Sequence, residues 1–98
     1  MSIEINWTPR AKNNLDSIKT YLSVEWSDSI SKSFESKVKD FTEIIKEFPN
    51  LGSVENNSRG IRGFQITKQI RIFYRIKGTR IIILALFDTR QHPKKRPR

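Results

Sequence analysis

The chain contains no cysteine, which removes disulfides, thiolate metal ligands and thiol nucleophiles together and makes a cytosolic protein the natural expectation. Histidine is scarce too. His92 is the single one, the carboxylates are dispersed, and no metal site is expected from so few ligands. The P-loop, the dinucleotide fingerprint and the HExxH pattern are all missing, so no cofactor is expected either. The longest apolar run, Ile81 to Phe87, is seven residues, far short of the roughly 20 that a membrane helix needs. Met1-Ser2-Ile3-Glu4 offers neither a basic nor an apolar segment of the kind that opens a signal peptide. Hydrophobic residues make up 36% of 98. A chain of that size is expected to fold as one domain over residues 1–98, with one sheet against one layer of helices.

Acidic residues are scarce in one half only. The net charge is +9, yet residues 1–50 hold seven Lys/Arg against eight Asp/Glu, while residues 51–98 hold twelve against two. All the excess positive charge therefore lies in the second half, which suits a surface that meets an acidic partner.

The hydrophobic periods divide the chain. Ile3 to Trp7 alternates as a half-buried strand does. Thr8-Pro9 then supplies an N-cap and a first-turn proline, and Ala11, Leu15, Ile18 and Leu22 recur at helical spacing to about Val24. Ser27-Asp28 restarts a helix whose stripe is Ile30, Phe34, Val38, Phe41, Ile45 and Phe48, ended by Pro49. Asn50 to Gly60 reads as a polar loop. Beyond it the period becomes two: strands at Ile61–Thr67, Ile70–Ile76 and Arg80–Asp88, the last pair joined through Lys77-Gly78-Thr79. The last strand is apolar at Ile81, Ile83, Ala85 and Phe87 and again at Ile82, Leu84 and Leu86, as a central strand would be. The expectation is an α+β domain: N-terminal strand, α-helical hairpin, three-stranded antiparallel meander (β-α-α-β-β-β), helices on one face of the sheet. A basic tail follows, over about residues 89–98.

Candidate functional residues are mostly arginines on strands. Arg71 and Arg75 flank Phe73 on one strand face, with Arg62, Arg80 and Arg90 nearby in sequence and Lys94 and Lys95 in the tail. Guanidinium groups beside an aromatic ring suit phosphate contact and base stacking. They suit equally the carboxylates of an acidic protein, and they also occur as plain decoration of a solvated sheet. His92 could act as a general acid or base in phosphodiester cleavage, or be an ordinary exposed histidine. Tyr21 and Tyr74 fall on apolar faces and read as core; Trp7 and Trp26 bracket the first helix and read as packing anchors.

Ile5-Asn6-Trp7-Thr8 with Ala11, Leu15, Ile18 and Tyr21, then Phe48-Pro49-Asn50-Leu51-Gly52, resembles the first half of the RelE/ParE toxin superfamily. So does the second half: Ile61-Arg62, Gln69 to Ile76, Ile81 to Leu84, and Phe87-Asp88-Thr89-Arg90-Gln91-His92-Pro93. The resemblance is closer to ParE-like members, because no tyrosine follows Tyr74 and Ser53 to Ser58 contains no lysine. It implies the toxin of a type II toxin–antitoxin pair, cytoplasmic, inhibiting growth through DNA gyrase and held in a heterocomplex by a cognate antitoxin protein. The alternative is a RelE-like, ribosome-dependent mRNA endoribonuclease, for which Arg71, Arg90 and His92 would be the catalytic candidates. A nucleic-acid-binding module without toxicity is the third reading.

Overall fold

The computed structural model describes residues 3–88; Arg90, His92, Lys94, Lys95 and the rest of the basic tail lie outside them. The elements are β1 (Glu4–Trp7), α1 (Pro9–Glu25), α2 (Asp28–Glu47), β2 (Ser53–Asn56), β3 (Ile61–Gln65), β4 (Ile70–Lys77) and β5 (Arg80–Asp88). They build one five-stranded sheet in the order β1-β5-β4-β3-β2. β1 pairs with β5 in parallel, and every other pairing is antiparallel. The expected α+β architecture is present, with the helical hairpin on one face.

Local chemistry fixes the helix ends. The Thr8 hydroxyl accepts from the Ala11 amide at 3.0 Å, and Pro9 occupies the first turn, where its missing N–H leaves nothing unpaired. The Ser27 hydroxyl accepts from the Ile30 amide at 3.2 Å to start α2, with Asp28 in the first turn and Lys46 in the last, both favourable to the helix dipole. The helices are tied by Ser31, whose hydroxyl donates to the Lys19 carbonyl at 2.9 Å, and by the Lys19–Glu35 ion pair.

The core lies between hairpin and sheet. Ala11, Ile18 and Leu22 from α1 and Phe34, Val38, Phe41 and Ile45 from α2 meet Ile70, Ile72, Tyr74, Ile81, Ile83 and Leu86. Phe41 stacks on Phe64 at 4.7 Å between ring centroids and meets Tyr74 edge-on at 5.8 Å. The Tyr74 hydroxyl donates to the Pro49 carbonyl (2.7 Å) and accepts from the Gly52 amide (2.9 Å). A Cβ on Gly52 would stand 2.9 Å from the Tyr74 ring and from the Gly63 carbonyl, so glycine lets this connection lie flat on the tyrosine.

Four expectations need correction. Ser53–Asn56, expected inside a loop, is an exposed edge strand; β3 supplies its ladder, so it forms without an apolar pattern of its own. Trp26 is 58% exposed, because it caps α1 at the hairpin turn. Ile30 and Phe48 are exposed as well, since they lie at the two ends of α2, outside the buried span Ser31–Ile45. In β5 the two-residue alternation breaks. Phe73 pairs with Ala85 but Tyr74 with Ile83, leaving Leu84 as the extra residue of a bulge. Ile81 and Ile83 face the helices before it, and Leu86 and Asp88 after it, so Ala85 and Phe87 turn to the other side.

Candidate binding face

The side of the sheet away from the helices is uncovered, and register decides what it shows. In β4, Arg71, Phe73, Arg75 and Lys77 alternate with the inward Ile70, Ile72, Tyr74 and Ile76. Opposite Phe73 stand Gly63 of β3 and Ala85 of β5. The face thus combines half-buried apolar side chains, Ile61, Phe73, Ile82, Ala85 and Phe87, with cations on β4. Phe73 has the Arg71 guanidinium 5.8 Å from its ring centroid, within cation–π range.

The expected site residues separate into distinct groups. Arg71 and Arg75 share this face with Phe73, as the alternation requires. Arg62 does not. It pairs with Tyr74 and so faces the helix side, where its guanidinium donates to the carbonyls of Asn50 (3.3 Å) and Gly52 (2.7 Å). Its work is to pin the α2–β2 connection. Arg80 pairs with Lys77 at the turn end of the β4–β5 hairpin and is exposed.

Arg71 and Arg75 also differ from each other. Arg71 donates to the Glu55 carboxylate at 2.6 Å and to the Gln65 side chain at 2.9 Å. Arg75 has no ion pair or hydrogen bond from its side chain among the described residues. Glu55 was not a candidate by sequence, although it is one of the two acids in the second half of the chain.

A groove of about 960 Å³ crosses this face and turns around the far part of β5. β1 accompanies β5 only from Arg80 to Ile83, so Leu84–Asp88 has no strand on that side. Side chains replace it: the Thr8 hydroxyl donates to the Leu84 carbonyl (3.2 Å), and the Asn14 side chain accepts from the Leu86 amide (3.1 Å). Phe73, Ala85 and Phe87 give the groove apolar surface, Arg10 lines it from α1, and Glu55 from β2. Asp88 lines it too, so its own charged lining is mixed, and the cations of β4 stand beside it rather than in it; it suits an extended, partly apolar segment. Among the described residues no group of three or more His, Asp or Glu could hold a metal, and no helix is long and apolar enough to cross a membrane.

The family comparison and the structural comparison point the same way. The family described as "ParE toxin of type II toxin-antitoxin system, parDE" matches residues 5–93. No curated protein matches the chain. Among solved structures, a chain from the chromosomal ParDE system of P. aeruginosa superposes with a TM-score of 0.72 at 20% identity, covering 88% of this chain and 95% of that one. The YoeB/ParE toxin from Agrobacterium tumefaciens gives 0.64 at 16%, covering 88% and 98%. A chain of the toxin–antitoxin complex RelBE2 from Mycobacterium tuberculosis gives 0.60 at 17%, covering 90% and 99%. At these identities the structural likeness is one of fold alone.

Proposed function

Since the chain belongs to the ParE toxin family of type II toxin–antitoxin systems, we propose that its open sheet face binds an acidic segment of a cognate antitoxin, and that the free toxin inhibits DNA gyrase. One observation carries this reading: Phe73, flanked by Arg71 and Arg75, lies beside an apolar groove that no part of residues 3–88 fills. Such a face attracts carboxylates through its guanidinium groups and retains the segment by burying its apolar side chains. The ParDE chain of P. aeruginosa and the RelBE2 complex come from toxin–antitoxin systems, which supports a protein partner here.

Binding, rather than cleavage of RNA, is favoured by what stands around the arginines. Arg71 is engaged by Glu55, and the Tyr74 hydroxyl is committed on the opposite face to Pro49 and Gly52. No histidine stands among the described residues. General acid–base cleavage of a phosphodiester needs two groups within reach of the same linkage; among the described residues Glu55 is the one such group beside Arg71, and Arg90 and His92 lie outside them.

The test uses purified toxin with gyrase and relaxed plasmid. The expected result is loss of supercoiling at toxin levels that leave translated mRNA intact by primer extension. Intact gyrase activity together with mRNA cleavage abolished by Arg71→Ala would replace this reading with the ribonuclease one.

A further inference from the structure

Glu55 and Arg71 belong to strands that are not neighbours. β3 lies between β2 and β4, and the ion pair spans it directly over Gly63. Gly63 makes the contact possible. A Cβ there would stand 2.7 Å from an Arg71 Nη, 2.8 Å from the Glu55 Cγ and 3.0 Å from a Glu55 Oε. Any side chain at position 63 would force one or both of them to move. Glu55 is further held by the Ser53 hydroxyl at 3.0 Å, and it lies at the register break of a four-residue edge strand. Glu55 also lines the groove beside Phe73.

We propose that the Glu55–Arg71 pair across Gly63 is an autoinhibitory contact: Glu55 occupies the seat on Arg71 that a carboxylate of an acidic, partly apolar protein segment takes on binding. This rests on the reading of the open face as the partner site. Glu55 is the chain's own anion at the point where an external one would dock, and docking exchanges one carboxylate for another. Arg75, with no internal partner among the described residues, makes first contact, and the exchange at Arg71 follows. The side chains of Arg71 and Glu55 are 33% and 36% exposed, so the pair is solvent-screened and of the weak class. It tunes affinity without closing the site.

The probe is a fluorescein-labelled peptide alternating glutamate with leucine, read by anisotropy against the full chain. Glu55→Gln should bind it about three- to five-fold more tightly than wild type at low salt, and the gain should shrink at high salt. Because that variant also adds net positive charge, Glu4→Gln serves as a control. It removes an exposed carboxylate whose hydrogen bond runs to Asn6, and should change affinity less than about twofold. Gly63→Ala crowds both ends of the pair while keeping every charge, and should also tighten binding, by less than Glu55→Gln because the Glu55 charge stays on the face. Equal effects of Glu55→Gln and Glu4→Gln, or wild-type affinity in a folded Gly63→Ala, overturn the autoinhibitory role. If instead Arg71→Ala and Arg75→Ala bind the peptide as wild type does, the open face itself is not the partner site. Should a labelled single-stranded oligonucleotide gain from Glu55→Gln and the peptide not, the seat belongs to phosphate and the proposal as stated fails.

Discussion

Single side chains here differ in whether they hold the fold or lie on the open face of the sheet. Tyr74 is wholly buried and its hydroxyl serves both the Pro49 carbonyl and the Gly52 amide. Tyr74→Phe leaves both without that partner and is expected to cost about 1–3 kcal/mol, seen as a lower urea midpoint with an unchanged slope. Arg62 and Arg75 should behave as opposites. Arg62→Ala releases the Asn50 and Gly52 carbonyls and lowers stability by about 1 kcal/mol, discounted for partial exposure, with little effect on partner affinity. Arg75→Ala should weaken partner binding, by calorimetry, and leave the urea midpoint within about 0.5 kcal/mol of wild type. Sequence alternation placed Arg71, Phe73 and Arg75 on one face correctly. It could not tell that Arg62 turns inward, because the short run Ile61–Thr67 alternates too weakly to fix a face. Nor could it find Glu55, whose partner lies two strands away and depends on a glycine between them.

At the scale of elements, the joint between β1 and α1 carries more than a helix start. Thr8 caps α1 through the Ala11 amide and holds the bulged Leu84 carbonyl of β5 as well. Thr8→Ala should therefore cost about 1–2 kcal/mol, toward the upper end for a cap. Ser27→Ala, which removes an exposed cap, should cost about half of that by the same denaturation measurement. Both helices were legible from their stripes and capping residues, β4 from its alternation, β5 from its continuous apolar run and β3 as a short run between the polar loop and β4. β2 was not, since a four-residue edge strand with every side chain exposed carries no apolar signal. The bulge at Leu84 was hidden too: β5 is apolar at consecutive positions from Ile81 to Phe87, so a slipped alternation leaves the pattern unchanged. That slip turns Ala85 and Phe87 onto the open face and so creates the groove's apolar surface.

For the whole molecule, the uneven charge is the dominant fact. With +9 overall and the excess confined to residues 51–98, association with an acidic partner should be electrostatically steered. Its on-rate is expected to fall by about tenfold or more from low to physiological salt, while the off-rate changes far less; stopped-flow mixing across a salt series measures both. The charge division was plain in the sequence, but which face it reached was not, because that depends on strand register. The pairing of β1 with β5 has a last consequence, for synthesis. Thr8 and its partner Leu84 are 76 positions apart, and β5 fills the slot between the first strand and β4. A nascent chain that has made β1, both helices and three further strands still lacks the strand that joins β1 to the rest of its sheet. Contacts this distant form late and slowly, so the growing polypeptide has no finished groove to offer until β5 has been made and has taken its place beside β1.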